Sequence, residues 1–226
     1  ATVSIQSVDK SYGRIRALRE VSFDLAPGSI CALVGHNGAG KTTLIKLMLG
    51  LIHAERGTVR VLDEDPAAGE FSARRQLGYL PENAPAYTDM TVHGFLSFAA
   101  EIRGLRGDAR KKAVHRAIEM CFLESVMHQS VETLSKGYRH RTCFAQSIIH
   151  DPEVLVLDEP TDGLDPNQKF EIRGLIRRMG EKKAIIFSTH ILEDIGRVCD
   201  YGVTLSQEKM ILTEPMSKIG SGATEL

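Results

Sequence analysis

The chain has 226 residues, of which 42% are hydrophobic and 25% are charged, and this composition fits one large globular domain or a domain with a subdomain. A net charge of −1 gives no general basic field for nucleic acid or anionic lipid. No apolar stretch approaches the roughly 18 residues that a membrane span needs, and the first ten residues look like a strand rather than a signal peptide. We therefore expect a cytoplasmic location.

The pattern of apolar runs alternates between strands and helices. In chain order it predicts strands at 3–5, 21–25, 30–34, 57–62, 77–80, 154–157 and 184–188, and helices at 43–49, after Pro166 and from about residue 192. A helical block at about 91–150 interrupts this alternation. The pattern predicts an α/β domain over residues 1–213 with a helical subdomain, followed by a loose C-terminal tail at 214–226.

Two local patterns in the helical block give more detailed predictions. Phe95, Phe98, Ala99 and Ile102 have the spacing of one helix face, which we interpret as packing, with a partner contact as the alternative. Asp108 is predicted to be the N-cap of a helix that ends near residue 122.

The four cysteines, at 31, 121, 143 and 199, form no C-x-x-C pair and are expected to be buried and reduced. The eight histidines have no metal-ligand spacing, so we expect no structural metal site.

A glycine-rich segment follows the third predicted strand and precedes the first predicted helix. Its sequence is Gly35-His36-Asn37-Gly38-Ala39-Gly40-Lys41-Thr42, which fits G-x-x-x-x-G-K-[ST] without a mismatch. Such glycines let backbone N–H groups cradle phosphate oxygens at a helix N-terminus. Lys41 would reach the β- and γ-phosphates and the Thr42 hydroxyl would ligate Mg²⁺. The segment predicts nucleoside triphosphate binding; a chance glycine-rich turn is the alternative.

Two carboxylates end the apolar run at 154–157. Asp158 suits a Mg²⁺ ligand and Glu159 suits a base that deprotonates an attacking water. An acidic strand end that caps a turn is the alternative. His190 follows the run at 184–188, where its imidazole would meet the γ-phosphate, although a lone histidine is more often a core or surface residue.

Another segment, Leu134-Ser135-Lys136-Gly137-Tyr138, precedes a helical pattern that extends to residue 149. Ser135 is predicted to be the N-cap of this helix. A serine and a glycine amide at a helix N-terminus also form an anion site, whereas a simple helix start is the alternative.

Together these segments resemble the ATPase cassette of ABC transporters over about residues 3–213. Residues 35–43, including Thr43, match the Walker A motif, and 157–161 match the Walker B motif with its catalytic glutamate. Residues 134–138 resemble the signature loop, 163–165 match the D-loop and 188–190 the switch-histidine loop. Tyr12 resembles the aromatic residue that stacks on adenine. One such motif can arise by chance, but all of them in this order make the resemblance specific.

The resemblance implies the fold and the chemistry of that family. The expected fold is α/β: a P-loop NTPase core sheet with an antiparallel β subdomain and an inserted α-helical subdomain. The expected activity is hydrolysis of ATP with Mg²⁺, held by Thr42, Asp158 and the residue at the Q-loop position, Glu82. In that family two cassettes pair head to tail, so Ser135, Lys136 and Gly137 would cap the ATP of a second subunit. A separate integral-membrane permease would hold the dimer at the cytoplasmic face of the inner membrane, with no nucleic-acid partner.

The chain departs from the usual family pattern at four positions. Glu82 replaces the Q-loop glutamine, Lys136 and Tyr138 replace a glycine and a glutamine of the signature, and His36, which we expect to face solvent, replaces a proline. These residues are similar to export-type cassettes of the ABC-2 class, such as the gliding-motility and nitrous-oxide-reductase-maturation types. The alternatives are a soluble ABC ATPase that acts on DNA or ribosomes and a non-hydrolysing regulatory cassette. A different P-loop class, such as a kinase, leaves the signature and the His190 loop unexplained.

Overall fold

The computed structural model describes residues 1–68, 72–82, 86–87, 89–190, 196, 198–206 and 209–215, and only the backbone from residue 206 onward. The strands are β1 (Val3–Tyr12), β2 (Ile15–Leu25), β3 (Ser29–Val34), β4 (Arg56–Val61), β5 (Leu77–Leu80), β6 (Val154–Asp158), β7 (Ala184–Thr189), β8 (Tyr201–Ser206) and β9 (Lys209–Pro215). The helices are α1 (Lys41–Met48), α2 (Val92–Ile102), α3 (Gly107–Met120), α4 (Lys136–Ile148) and α5 (Pro166–Gly180). Short 3₁₀ helices lie at Ser72–Gln76, Glu124–Val126 and Val131–Thr133.

Within the described residues the strands form a sheet in the order β4-β1-β2-β9-β8-β3-β7-β6-β5. Strands β5, β6, β7, β3 and β8 are parallel neighbours, whereas β1, β2 and β4 pair antiparallel. Strand β9 returns antiparallel to β8 and meets β2. The expected α/β core with an antiparallel β subdomain and an inserted helical block is therefore confirmed.

The parallel strands β3, β6 and β7 are buried on both faces, which explains why they read as continuous apolar runs. In β3, Ile30 and Ala32 belong to a cluster that also contains buried residues of α2, α3, α4 and α5. Cys31 and Leu33 point to the opposite cluster, which contains α1 and the antiparallel strands. Because side chains alternate along a strand, one face of the sheet packs in the first cluster and the other face packs in the second.

The helical block packs on the first of these clusters, and two predictions for it are corrected. In α2, Phe95 and Ala99 are buried, but Phe98 is 36% exposed and Ile102 is 68% exposed, so only part of the predicted face packs. Helix α3 has Arg106 as its N-cap, so Asp108 lies in the first turn instead. The chain enters α3 through a positive φ at Gly107, and the Asp108 carboxylate still faces the positive end of the helix dipole.

Several predicted segments are longer in the structure or fall outside it. Strands β1 and β2 extend the runs predicted at 3–5 and 21–25, and β8 and β9 were not predicted. Strand β9 reaches Pro215, and residues 216–226 of the expected tail lie outside the described residues, as does most of the helix predicted from about 192. All four cysteines are buried and none of them forms a disulfide, as expected. Among the described helices, none has both the length and the apolar character that crossing a bilayer requires.

A histidine joins the helical block to the parallel sheet. The Nε2–H of His150, just past α4, donates to the carbonyl oxygen of Leu77 at 3.0 Å. Its Nδ1 atom is buried and has no hydrogen-bond partner among the described residues. Burial, assisted by the positive charge of Arg103, lowers the pKa of His150 to about 4. The folded chain therefore keeps this imidazole neutral under conditions where the unfolded chain protonates it.

We predict that His150 makes the stability of the protein sensitive to acid. Between a pKa of about 6.5 in the unfolded chain and about 4 in the folded chain, the unfolded state binds the extra proton. The free energy of unfolding therefore decreases as the pH falls through this window. In His150→Gln the melting temperature, measured by calorimetry, should fall less steeply over the same window.

The exposed His128 provides a matched control, because His128→Gln should leave the pH dependence of the melting temperature unchanged. Parallel curves for the unsubstituted chain and His150→Gln between pH 4 and 6.5 would contradict the prediction.

Candidate active site

The glycine-rich loop connects β3 to α1 and folds around its own lysine. Gly40 has φ = 100°, and a Cβ atom there would lie 2.5 Å from the carbonyl oxygen of Ala17, so only glycine fits. Lys41 is 7% exposed, and its Nζ donates to the carbonyl oxygens of Gly35 at 2.5 Å and His36 at 3.3 Å. The lysine ammonium is thus held inside the loop, at the N-terminus of a helix, where anions bind favourably.

The two acidic residues lie where β6 ends beside β7. In this parallel pair Asp158 is opposite Ser188, and both side chains are buried. The Ser188 hydroxyl donates to Asp158 Oδ1 at 2.5 Å and accepts the backbone N–H of Glu159 at 2.9 Å. One hydroxyl therefore joins both acidic residues across the strand pair.

Glu159 has a left-handed backbone conformation, with φ = 49°. Such a conformation is uncommon for a residue with a long side chain and turns the chain sharply at the end of β6. The Nδ1–H of His190 donates to Glu159 Oε2 at 3.1 Å. Because the Glu159 side chain is 11% exposed and that of His190 is 53% exposed, the histidine covers the solvent side of a nearly buried carboxylate.

A cavity of about 450 Å³ opens between the loop and the acidic strand ends. Its walls are formed by the aromatic side of the first hairpin, the glycine-rich loop and the acidic residues: Tyr12, Ile15, Ala17, His36, Asn37, Gly38, Ala39, Gly40, Lys41, Thr42, Thr43, Glu82, Asp158 and Glu159. Every predicted nucleotide or metal residue except Gly35 lies in this wall, and Gly35 supplies a carbonyl to Lys41. His36 is exposed, as its sequence position suggested.

The donor set in the cavity suits a hard divalent cation. The Thr42 hydroxyl and the carboxylates of Asp158 and Glu82 line the same space, and Mg²⁺ prefers oxygen donors of this kind. Burial, together with the negative charges of Asp158 and Glu82, raises the pKa of Tyr79 to about 12. Both carboxylates therefore lie close enough to one phenol to act on it together.

The opposite end of the cavity is apolar and is formed by a tight hairpin. Tyr12 pairs with Ile15 across the turn between β1 and β2, so their side chains lie on the same face. They are 47% and 72% exposed, and the Lys10 ammonium lies 5.7 Å from the centre of the Tyr12 ring. Tyr12 was predicted from the sequence, whereas Ile15 and the contacts of Ser188 were not, because both depend on strand pairing.

The signature residues lie elsewhere. Ser135 is the N-cap of α4, as predicted, and its hydroxyl accepts the N–H of Tyr138 at 3.4 Å. Ser135, Lys136 and Gly137 do not contribute to the wall of the 450 Å³ cavity. The structure therefore separates these three predicted residues from the glycine-rich loop of the same chain.

Parallel strands, a glycine-rich loop before α1 and acidic residues at the end of β6 define the chain as a P-loop nucleoside triphosphatase. The family model described as ABC transporter matches residues 18–162. The chain belongs to the ABC transporter family, as an ATP-binding subunit with the ATPase fold of that family.

Relatives and a solved structure agree with this assignment. The chain is 36% identical to the uncharacterized ABC transporter ATP-binding protein YxlF of Bacillus subtilis, over 90% of this chain and 67% of the relative. It is 33% identical to the Nod factor export ATP-binding protein I of Burkholderia orbicola, over 99% of this chain and 71% of the relative. A solved ATP-binding subunit of an ABC transporter superposes with a TM-score of 0.88 at 27% identity, covering 97% of this chain and 92% of that one.

We predict that Ser188→Ala impairs both stability and turnover. Without the hydroxyl the Glu159 N–H loses its acceptor, which should lower the free energy of unfolding by about 1–3 kcal/mol. The kcat for ATP hydrolysis should fall at least about tenfold, because the predicted role of Glu159 as a general base depends on its position. Chemical denaturation and a phosphate-release assay measure the two effects.

Ser147→Ala is the matched control, because Ser147 is also fully buried and its hydroxyl donates within α4 to the carbonyl oxygen of Phe144 at 2.7 Å. This control should change stability alone. A Ser188→Ala variant with the kcat of the unsubstituted chain would show that Ser188 does not position the acidic pair.

Proposed function

We propose that this chain is the ATP-hydrolysing motor subunit of an ABC-2 type exporter and that it works as a head-to-tail dimer on a separate permease. The observation that carries the proposal is the single cavity that joins an aromatic hairpin, a phosphate-binding loop and two acidic strand ends. These are the parts that a nucleoside triphosphate with a bound cation requires.

The cavity suggests how ATP would bind. The Tyr12 ring, with Ile15 beside it, offers an apolar surface for the adenine base. Backbone N–H groups of residues 36–43 and the Lys41 ammonium would hold the phosphates. Thr42, Asp158 and Glu82 would hold Mg²⁺, which neutralises charge on the β- and γ-phosphates when bound.

Hydrolysis would depend on Glu159. Its carboxylate would accept a proton from water while the water oxygen attacks the γ-phosphorus and the bond to ADP breaks. The Ser188 hydroxyl fixes the backbone N–H of Glu159, and the His190 imidazole donates to its carboxylate. These two contacts would keep the carboxylate directed into the cavity, and His190 would meet the γ-phosphate from the same side.

The position of the signature supports a composite site. Ser135 and Lys136 are exposed at the N-terminus of α4, and Gly137 follows them, outside the cavity of their own chain. A helix N-terminus with a serine N-cap binds anions well. A second copy would bring this cap to the γ-phosphate, so that ATP holds the dimer together and hydrolysis releases it.

An aromatic group on the helical block supports the permease contact. Tyr87 and Phe98 are 56% and 36% exposed and pack edge to face with ring centres 5.5 Å apart. Ile102 continues this apolar surface along α2 and is 68% exposed. We propose that the permease covers this surface and keeps the dimer peripheral at the cytoplasmic face of the inner membrane. The export function in the name of the Burkholderia orbicola relative supports outward transport.

The proposal predicts that Glu159→Gln retains ATP binding but loses turnover. The amide keeps the size of the carboxylate but cannot accept a proton, so kcat should fall at least about a hundredfold. Because ATP is then not consumed, light scattering with MgATP should show a persistent dimer. Glu153→Gln, at the exposed opposite end of the same strand, is the matched control and should hydrolyse ATP normally. Normal turnover in Glu159→Gln would remove this residue from its proposed role.

The head-to-tail arrangement predicts that two inactive variants restore activity when mixed. Ser135→Arg has an intact phosphate loop, whereas Lys41→Ala has an intact cap. Their heterodimer contains one site built from both intact parts, so ATPase activity should exceed the sum of the separate variants.

The double variant Ser135→Arg/Lys41→Ala is the matched control, because no mixture of it with either single variant contains an intact site. A chain that hydrolyses ATP as a monomer, at a rate per molecule independent of protein concentration, would contradict the composite site.

A further inference from the structure

Lys136, which stands where the signature usually has a glycine, has a charged partner within its own chain. Its Nζ lies 3.6 Å from Oδ2 of Asp162, in the loop that follows Glu159. The side chains are 72% and 52% exposed, so the pair lies at the surface. The signature loop and the loop after Glu159 therefore meet through opposite charges.

The next residue of that loop makes room for the lysine. Gly163 has φ = 67°, and a Cβ atom built on it would lie 3.0 Å from Cδ of Lys136 and closer still to Cε and Nζ. The aliphatic part of Lys136 therefore crosses directly over the glycine. A side chain at position 163 would displace the lysine from Asp162.

Deeper in the structure the same two segments are joined by a second ion pair. Arg141 on α4 donates to Glu171 on α5 at 2.5 Å, and the Arg141 side chain is only 7% exposed. The Arg141 guanidinium lies 5.6 Å from the ring centre of Tyr138 and 5.7 Å from that of Phe122. Tyr138, the other departure in the signature, thus lies beside the buried Arg141 guanidinium that connects α4 to α5.

The loop of Asp162 is continuous with the hydrolytic residue. The backbone N–H of Asp162 donates to the carbonyl oxygen of Glu159 at 3.1 Å and closes the turn in which Glu159 has its positive φ. A force on the Asp162 side chain therefore acts on the turn that directs Glu159. No other element lies between Lys136 and this turn, because the ion pair spans the distance directly.

A neighbouring histidine does not replace the lysine as the source of positive charge. His140 lies one turn along α4 and is 8% exposed. Burial lowers the pKa of His140, so its imidazole is neutral at pH 7, although the charge of Asp162 acts in the opposite direction. At neutral pH, Lys136 thus supplies the cation that faces Asp162.

We propose that Lys136 is a positioning residue whose ion pair with Asp162 couples the signature loop to the turn of Glu159 within one chain. The signature loop and the Glu159 carboxylate then move together. This inference rests on the proposed function for its catalytic consequence. It assigns Lys136 to a partner in its own chain and leaves Ser135 and Gly137 to face the ATP of the second subunit.

The kinetic test is a double-mutant cycle on Lys136→Met and Asp162→Asn. Each single change should lower kcat about two- to fivefold, the range that an exposed ion pair allows, with KM for ATP unchanged. The double variant should be no slower than the slower single variant, because both changes remove the same interaction. Lys136→Arg should retain kcat. Additive losses of kcat in the double variant would overturn the proposal. So would a raised KM for ATP in Lys136→Met together with unchanged kinetics in Asp162→Asn, a result that would indicate a direct contact between Lys136 and phosphate.

The pair Lys111 and Asp108 on α3 provides a matched control, with side chains that are 81% and 90% exposed and 4.0 Å apart. Lys111→Met and Asp108→Asn should leave kcat unchanged. A reduced kcat in these variants would show that the loss of any surface pair has this effect.

A second measurement does not depend on turnover. Hydrogen exchange of the backbone amides of Glu159 and residues 161–163 should become faster in Lys136→Met and in Asp162→Asn by the same factor, while residues 35–43 keep their rates. Unchanged exchange at 159–163 would overturn the link even if the chain hydrolyses ATP. Absence of ATP hydrolysis in the unsubstituted chain would refute the proposed function, and the exchange rates would still decide whether the link exists.

Discussion

The hydroxyl of Ser188 is the interaction on which the acidic side of the site depends. It accepts the backbone N–H of Glu159 and donates to the carboxylate of Asp158, so one atom satisfies two groups that have different tasks. Glu159 has an uncommon left-handed backbone conformation, which persists only where its surroundings hold it. The buried β6–β7 pair supplies that constraint, because a shift of one residue in register would turn Ser188 to the opposite face of the sheet.

The same sheet explains why the phosphate loop meets these groups. Strands β3, β7 and β6 are parallel neighbours, so their carboxyl ends lie along one edge. The loop leaves from β3, His190 follows β7, and Glu159 follows β6. Three segments that are distant in the sequence thus converge at one edge of the sheet. Strand order brings the parts of the candidate site together, and the glycine-rich loop supplies most of the residues in its wall.

The sequence predicts those parts of the fold that local chemistry determines. The phosphate loop and the strands at 30–34, 154–157 and 184–188 could be predicted because their signals are contiguous apolar runs and glycine spacing. The roles of Ile15 and Ser188 could not, since each depends on the pairing of two strands. The helical periodicity identified one face of α2 but not which part of that face is buried. Phe98 and Ile102 are exposed because no described helix or strand packs over that part of the helix. Strands β8 and β9 were also missed; they pair with each other as consecutive strands, but their places in the sheet beside β3 and β2 depend on partners that lie far away in the sequence.

The fold explains both positions at which the signature departs from the usual pattern, Lys136 and Tyr138, because both residues lie at the contact between α4 and the segment that leads into α5. Tyr138 lies beside the buried Arg141 guanidinium, whose partner Glu171 is 37% exposed, whereas Lys136 reaches Asp162 at the surface. Removing Glu171 would leave a buried cation without its partner, which is costly, but an exposed pair contributes about 1 kcal/mol or less. The contact between α4 and α5 is therefore strong at the buried Arg141 and weak at the exposed ion pair of Lys136 and Asp162, which lies next to the turn of Glu159. The weak ion pair is able to open and close without unfolding the contact, and this is the property that the proposed coupling between the signature loop and Glu159 would require during a cycle of ATP binding and release.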